Sequence, residues 1–80
     1  MRLDKFLKNA RLIKRRTIAN EACAQGRVTV NEKIAKPSNV VKEGDIISIQ
    51  FGEKRTEIEV LQVSEHVSKA DATKLYEVRK

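Results

Sequence analysis

The spacing of the apolar residues changes near Gly26, and this change limits what the chain can fold into. Before it, four apolar residues repeat at the helical spacing of three or four: Leu3, Phe6, Leu7 and Ala10. After it, Val28 and Val30 alternate with polar residues, as in a half-buried strand. The 80 residues have room for one small domain. The sequence therefore predicts an α+β domain, with two N-terminal helices packed on a small antiparallel sheet.

The two helices are predicted over about residues 3 to 10 and 16 to 25. Leu12 and Ile13 lie between them, in a connector that should place apolar side chains in the core. Thr17 is expected to cap the second helix, because its hydroxyl can accept a hydrogen bond from a free backbone N–H. The apolar stripe of that helix should consist of Ile18, Ala19, Ala22 and Cys23. Gly26 suits the left-handed position that ends many helices.

The second part of the chain is predicted to form short strands. We expect them near residues 28–30, 33–35, 46–51 and 56–63. Between them we expect turns at 31–32, 43–45 and 52–55 and a loop at 37–39. Val40 and Val41 should touch the core, and Ile47, Ile49 and Phe51 should share one face of their strand.

The pattern weakens after residue 63, so we expect a domain over residues 1–63 and a C-terminal extension over residues 64–80. Ser68 and Asp71 have the spacing of a capping box and can open a short helix. Three apolar residues of the extension would then pack back on the domain: Leu75, Tyr76 and Val78. A frayed tail is the alternative.

The positive charge is concentrated at one end of the chain. The sequence has 17 lysines and arginines, 11 acidic residues and a net charge of +6. Residues 1 to 27 hold eight of these cations but only two of the acids, Asp4 and Glu21, and so account for the whole excess. A basic region set apart in this way indicates a polyanionic partner, with nucleic acid ahead of an anionic membrane.

The composition argues against several other functions. Cys23 is the only cysteine, so we expect a small buried residue rather than a disulfide or a cysteine-based zinc site. His66 is the only histidine, and no nucleophile or phosphate-loop motif accompanies it. Three aromatic residues are too few for a base-stacking platform. We therefore expect no catalytic residue, metal or cofactor and, without a signal peptide or apolar span, a cytoplasmic protein.

Lys14, Arg15 and Arg16 form the most informative cluster. They repel one another unless an anion is present, and they stand where the second helix begins, a place that favours anions. Arginine can also bind a phosphate through two parallel hydrogen bonds. The second helix is short, apolar and partly acidic, which suits phosphate contact better than base reading in DNA. Structured RNA is therefore favoured over DNA, and a membrane is disfavoured because no large apolar face accompanies the cations.

Four segments of the sequence resemble the S4 RNA-binding domain family. They are Arg2-Leu3-Asp4 with Phe6-Leu7, Lys14-Arg15-Arg16-Thr17 with Ala19, Gly26-Arg27-Val28-Thr29-Val30-Asn31, and Val41-Lys42-Glu43-Gly44-Asp45 with Ile46. The resemblance runs from Arg2 to about Phe51, in the order that the family has. It implies two helices on a small bent antiparallel sheet, with RNA bound along the helix pair.

The resemblance also implies a set of RNA-binding residues. Cations stand at four positions where the family commonly presents them to RNA: Arg2, Lys14, Arg16 and Arg27. Charge alone adds four more candidates: Lys5, Lys8, Arg11 and Arg15. Asp4 is expected to orient Arg2 or Arg16, or to cap the first helix, rather than to touch phosphate.

Two positions depart from the family's pattern. Arg15 stands where Ser or Thr is frequent, which leaves the start of the second helix open. Glu32 follows Asn31 where Gly is usual, so we do not expect the tight glycine-containing turn there.

A stand-alone chain of this length is similar to the heat shock protein 15 and RqcP group of ribosome quality-control proteins. This likeness implies a monomer that binds obstructed large ribosomal subunits carrying peptidyl-tRNA, and that contacts both rRNA and tRNA. It also implies an RqcH-like partner that directs alanine tailing of the stalled chain. The alternatives are a general rRNA-binding or ribosome-assembly factor, a DNA-binding protein, and a protein-interaction module that uses exposed strands or the extension.

Overall fold

The two helices lie where the apolar spacing predicts them. The computed structural model describes residues 1–79, and Lys80, the last residue of the C-terminal extension, lies outside them. Helix α1 spans Leu3–Asn9 and helix α2 spans Arg16–Ala24. The four residues of the α1 stripe are buried, and Ile13 joins the same core from the connector. Both predicted helices are confirmed, and each ends one residue earlier than expected.

Helix α2 packs through its small residues. Ala19, Ala22 and Cys23 are buried, whereas Ile18 is 44% exposed. At about 100° per residue, Ile18 lies about 40° beyond Ala22, at the edge of the stripe and on the side away from Cys23. The predicted burial of Ile18 is therefore wrong, and the contact with α1 is made by residues small enough to let the backbones approach.

The two ends of α2 differ from each other. At the start, Arg15 is the N-cap residue, and no side chain in the described part of the chain caps the helix. The helix begins one residue before Thr17, so this threonine is inside the first turn and its predicted capping role is wrong. At the other end, Gly26 has a φ of +74°, and the Arg27 N–H donates to the Ala22 carbonyl at 3.0 Å. The predicted left-handed stop at Gly26 is confirmed.

Five strands form one antiparallel sheet. Their bounds are β1 Val28–Val30, β2 Lys33–Ile34, β3 Ile46–Phe51, β4 Lys54–Val60 and β5 Tyr76–Arg79. The order across the sheet is β2-β1-β3-β4-β5, and every neighbouring pair is antiparallel. The predicted α+β class, with two N-terminal helices and a small antiparallel sheet, is confirmed. Strand β4 begins two residues before its predicted start and ends three residues before its predicted end.

One face of the sheet contributes to the core that the helices cover. Ile47 and Ile49 of β3 are fully buried, as predicted, and so is Val41. Val40 is 74% exposed, because successive residues of an extended segment point to opposite sides. Phe51 is exposed because the tip of the β3–β4 hairpin lies outside the core. The predicted core position of Val40 is therefore wrong.

The turn between β1 and β2 is tight although it contains no glycine. Asn31 and Glu32 are its two residues, with φ angles of +52° and +70°. The Asn31 side chain donates to Asp45 Oδ1 at 3.1 Å and accepts the Ile46 N–H at 3.0 Å. Asparagine tolerates the left-handed region, and these bonds hold it there. The sequence led us not to expect a tight turn here, because Glu32 stands where the family usually has glycine. That expectation is wrong.

The C-terminal extension packs against the sheet through most of its length. Ser68 Oγ accepts the Asp71 N–H at 3.2 Å and donates to Asp71 Oδ2 at 3.0 Å, just before a 3₁₀ helix at Ala72–Leu75. Leu75 is buried, and β5 pairs with β4. Packing, rather than a frayed tail, is thus the arrangement found, although Val78 on β5 stays largely exposed.

Candidate nucleic-acid interface

A buried carboxylate holds two of the candidate arginines. Asp4 lies in the first turn of α1 and is only 1% exposed. Its Oδ1 is 3.3 Å from Arg2 Nε, and its Oδ2 is 3.3 Å from Arg16 Nε. Asn20, one turn after Arg16 on α2, donates to Oδ2 at 3.4 Å. We call these four residues the Asp4 cluster.

The position of each arginine follows from the helix pair. Arg2 is the N-cap residue of α1, and Arg16 is the first residue of α2. The small residues of α2 pack this helix against α1, and this packing brings both arginines to the same carboxylate. The sequence predicted that Asp4 would orient Arg2 or Arg16, or cap the first helix. In the structure, Asp4 contacts both arginines.

The Asp4 carboxyl is held in its ionised form. Burial raises its pKa, but the hydrogen bond from Arg16, the Lys5 N–H at 2.8 Å and the charges of Arg16 and Arg2 together outweigh burial. The pKa therefore lies below the ordinary value of 3.8. At neutral pH the cluster contains one buried negative charge that fixes two positive ones.

The arginines of the Asp4 cluster still face solvent. The side chains of Arg2 and Arg16 are 49% and 48% exposed. They border an open depression of about 480 Å³, which Thr17 and Glu21 also line. Each guanidinium has five N–H donors, so donors remain for an external anion after the contact with Asp4. The arrangement is suited to binding phosphate.

The start of α2 adds donors of a second kind. Lys14 and Arg15 are exposed, directly before the first residue of this nine-residue helix. Because no described side chain caps the helix, the N–H groups of its first turn are left for an external acceptor. The three-cation cluster at 14–16 therefore stands at a helix N-terminus, as the sequence predicts, and the helix dipole adds to its attraction for an anion.

Two further candidates, Lys8 and Arg11, line a groove beside the connector together with Lys14. Lys8, Arg11 and Lys14 are exposed and border a cavity of about 590 Å³. Its remaining lining residues are Asn9, Leu12, Ile13 and Val67. We call this cavity the connector groove. It concentrates positive charge in a concave site, and one of its lining residues, Val67, comes from the C-terminal extension.

Arg11 has an unusual backbone conformation for a residue of its type. Its φ is +59°, and it directly follows the C-cap residue of α1. Its N–H donates to the Lys8 carbonyl at 3.0 Å, and the Leu12 N–H donates to the Leu7 carbonyl at 3.1 Å. This is the Schellman arrangement, which usually has glycine in the left-handed position. An arginine there costs roughly 1 kcal/mol in backbone strain.

The last two candidates are placed apart from these groups. Lys5 Nζ is 3.0 Å from Glu65 Oε2, so an acid of the extension already partners it. Arg27 follows the C-terminal end of α2, whereas Arg16 begins it, so the length of the helix separates them. Arg27 Nε is buried, and no partner for it occurs within residues 1–79. Within residues 1–79, no side-chain hydrogen bond or ion pair joins Arg27 to the Asp4 cluster or to the connector groove.

Sequence reasoning missed two asparagines of the interface. Asn20 is four residues after Arg16, and this helical spacing places both on one face, so the sequence contained the signal. Asn9 donates to the carbonyls of Ser64 and Glu65 at 3.1 and 3.3 Å. No local pattern predicts that contact, because its partners lie 55 and 56 residues away.

The cysteine, the potential metal ligands and the helix lengths bear on the other kinds of site that the sequence could contain. Cys23 is buried as predicted, and burial followed by the nearby Asp4 charge raises its thiol pKa to about 11. Within residues 1–79, no group of three or more His, Cys, Asp or Glu side chains is placed to hold a metal ion. None of the helices in this range is long and apolar enough to cross a membrane.

Comparison with known proteins places the sequence among described relatives. The sequence model of the S4 domain matches residues 1–47. The chain is 59% identical over 80 residues to the RQC P-site tRNA stabilizing factor of Halalkalibacterium halodurans, covering all of this chain and 91% of that protein. It is 45% identical to the protein of the same name from Bacillus subtilis, covering all of this chain and 93% of that protein.

A solved structure shares the fold. It is the trimeric structure of heat shock protein 15 from Vibrio cholerae, with a TM-score of 0.91 and 32% sequence identity. The match covers 99% of this chain and 81% of that one. The similarity therefore extends over both helices, the sheet and the C-terminal extension.

Proposed function

This chain belongs to the S4 domain family, and on that premise we propose that it is a non-catalytic factor that binds RNA of the large ribosomal subunit. The observation that carries the proposal is the Asp4 cluster beside the start of α2. Two half-exposed arginines and the uncapped N–H groups of a helix stand together there. Both kinds of donor favour phosphate.

Structured RNA fits this surface better than duplex DNA does. Base reading in the major groove needs a helix that presents several long polar side chains to base edges. Helix α2 has only nine residues, and its exposed positions include Ile18 and Glu21. Folded RNA is recognised largely through shape, phosphates and projecting nucleotides, for which positioned cations are sufficient.

We assign the eight cations to different parts of this interface. Arg2 and Arg16 would bind phosphate in the geometry that Asp4 gives them, with Asp4 itself as an orienting residue. Lys14 and Arg15 would act at the start of α2. The remaining four cations would extend the contact: Lys5, Lys8, Arg11 and Arg27. On this proposal residues 1–63 form the RNA-binding domain and residues 64–80 its C-terminal extension.

The names of the relatives support a more specific role. Proteins called RQC P-site tRNA stabilizing factor match this chain along its whole length. We propose that this chain acts as a monomer in the cytoplasm, on obstructed large subunits that carry peptidyl-tRNA, and contacts both rRNA and tRNA. An RqcH-like factor would then direct the addition of alanine to the C-terminus of the stalled chain.

Sucrose-gradient sedimentation of the tagged protein from cell lysate tests this proposal. Wild type should migrate with large subunits that contain tRNA, and Arg16→Ala should move to the top of the gradient. The matched control is Arg79→Ala, which removes an arginine from β5 and should migrate as wild type does. Wild type at the top would contradict ribosome binding, and wild type on subunits without tRNA would favour a general rRNA-binding or assembly factor.

Alanine tailing is tested separately, in cells that lack this protein. C-terminal alanine tails on a stalled reporter should be lost and should return with the wild-type gene but not with Arg16→Ala. Mass spectrometry of the reporter measures the tails. Unchanged tails in the deletion strain would remove the tailing role and leave the binding role intact.

DNA binding is tested with purified protein at matched salt. We expect rRNA fragments to bind at least tenfold more tightly than duplex DNA of equal length, a difference of about 1.4 kcal/mol. Equal affinities would favour a nonspecific polyanion binder, because phosphate contacts alone do not distinguish the two.

A further inference from the structure

The geometry points to the connector groove as a binding site for a single unstacked RNA nucleotide. The phosphate would lie against Lys8, Arg11 and Lys14, and the base against Leu12 and Val67. This inference rests on the proposed RNA-binding function and adds to it a ligand class and a role for the C-terminal extension.

The extension is attached where it forms the wall of the groove. Asn9 Nδ2 donates to the carbonyl oxygens of Ser64 and Glu65 at 3.1 and 3.3 Å. Lys5 Nζ lies 3.0 Å from Glu65 Oε2. These contacts hold the beginning of the extension against α1, and Val67 follows two residues later in the groove lining. Without this segment, the three cations would lie on an open surface.

The turn at the end of α1 places a cation where glycine would fold more easily. Arg11 occupies the left-handed position of the Schellman arrangement, between Lys8 and Leu12, which also line the groove. Strained backbone of this kind persists where the surrounding structure fixes it, and it is concentrated at functional sites. A glycine at this position would relieve the strain but would remove one of the three charges.

The size and the lining of the groove match one nucleotide. Its volume of about 590 Å³ falls in the range of sites that enclose small ligands, about 300–1,000 Å³. A nucleotide that projects from an RNA can enter a concave site. The backbone of a base-paired stem is convex and would contact only the rim of the groove. Three cations can neutralise the phosphate, and the partly buried Leu12 and Val67 offer apolar surface to a base. Leu12 and Val67 have no side-chain hydrogen-bonding group to offer to a base edge, so we expect little preference among the four bases.

The test uses two short RNA hairpins and the full-length protein. One hairpin has a single bulged 2-aminopurine nucleotide, and the other has the same stem without the bulge. We expect wild type to bind the bulged hairpin about tenfold more tightly, a difference of about 1.4 kcal/mol. The 2-aminopurine fluorescence should also change on binding, because the base leaves solvent.

Matched variants locate the effect. Val67→Glu puts an acid in the groove wall and should abolish the preference, so that both hairpins bind with about equal affinity. Val63→Glu makes the same change on an exposed residue just before the extension, outside the groove, and should keep the preference. Lys14→Ala is an exposed substitution that cannot disturb the core, and it should also lower the preference. It therefore tests the inference even if Val67→Glu unfolds.

The outcomes separate the two proposals. Equal binding of both hairpins by wild type would overturn the nucleotide site but leave RNA binding in place. A full preference for the bulge in Lys14→Ala and in folded Val67→Glu would overturn it as well. Failure of wild type to bind either hairpin or any large-subunit RNA would overturn the proposed function together with the inference.

Discussion

The Asp4 cluster and the connector groove hold similar charges in different ways. In the cluster, a buried carboxylate contacts both arginines, so their positions are set before any ligand arrives. In the groove, Lys8, Arg11 and Lys14 have no ion-pair partner within residues 1–79. Among these three cations, only Arg11 has a backbone in the left-handed region. Net charge alone would treat the two regions as equivalent.

The difference indicates a division of tasks. A cation fixed in advance loses little conformational freedom on binding and imposes a geometry on the phosphate that it meets. Unpaired cations in solvent attract RNA through their charge, and salt screens this contribution. We therefore expect the Asp4 cluster to fix how the RNA backbone is oriented, and the groove to supply much of the salt-dependent affinity in addition to receiving the unstacked nucleotide.

The largest effect is expected from emptying the Asp4 cluster of its cations. The double variant Arg2→Ala/Arg16→Ala should lower the affinity for purified large subunits about 100-fold, since two charge-assisted hydrogen-bonding groups are lost. Filter binding measures this affinity. The control Lys54→Ala/Arg79→Ala removes the same charge from the sheet, and an equal loss there would show that net charge, not position, decides binding.

The next effect is expected on the salt dependence of binding. If Arg2, Arg16 and the three groove cations each neutralise a phosphate, the affinity of wild type should fall with salt at a log–log slope of roughly −3.5. Removing the three groove cations together, Lys8, Arg11 and Lys14, should reduce this slope to roughly −1. Titrations at several salt concentrations measure it.

A matched control for the salt experiment removes three exposed lysines elsewhere: Lys36, Lys42 and Lys54. This variant should keep a slope near that of wild type, since these residues lie outside the proposed interface. A flat response in wild type, or an equal change in both triple variants, would contradict the electrostatic role of the groove.

Local periodicity predicted both helices and most of the sheet, because burial of one face imposes spacings that are visible in short segments. It failed where a distant part of the chain decides the outcome. Strand β5 was not predicted, since 15 residues separate it from its partner β4. Ile18, Val40 and Phe51 are apolar but exposed, and the sequence does not show which apolar residues the core leaves out.

The candidate site was predictable to a similar degree. Charge and family resemblance singled out Arg2, Arg16 and Asp4, and the structure brings these three together. The connector groove was not predictable as a cavity, because Val67 reaches it through a fold that joins the two ends of the chain. The contact between Lys5 and Glu65 spans 60 residues, so no spacing rule contains it.

A smaller effect should distinguish arginine from lysine in the two regions. Arg16→Lys keeps the charge but loses the planar fork that contacts Asp4 and phosphate together, so affinity should fall about fivefold, or roughly 1 kcal/mol. Lys14→Arg, the reciprocal change in the groove, should leave affinity within about twofold. Equal effects of the two exchanges would contradict the proposed difference between the regions.

The smallest effect is expected on stability in acid. The pKa of Asp4 is lowered in the folded state, so its contribution to stability is complete above the ordinary value of 3.8 and is lost as pH falls through the folded value. The melting temperature of wild type should therefore fall more steeply below about pH 4 than the melting temperature of Asp4→Asn does. The melting temperature of the variant without the three groove cations should fall with pH as that of wild type does. If the melting temperature of Asp4→Asn falls as steeply as that of wild type, Asp4 is not the cause of the acid sensitivity.

The most direct test of the central claim is the affinity of Asp4→Asn for large ribosomal subunits at neutral pH. This variant has one more net positive charge than wild type, so charge alone predicts tighter binding. If Asp4 positions the arginines, the affinity should instead fall about tenfold. Glu53→Gln, which changes the net charge equally on an exposed residue of the β3–β4 turn, should bind at least as tightly as wild type. Folded Asp4→Asn that binds as tightly as wild type, or more tightly, would contradict the account.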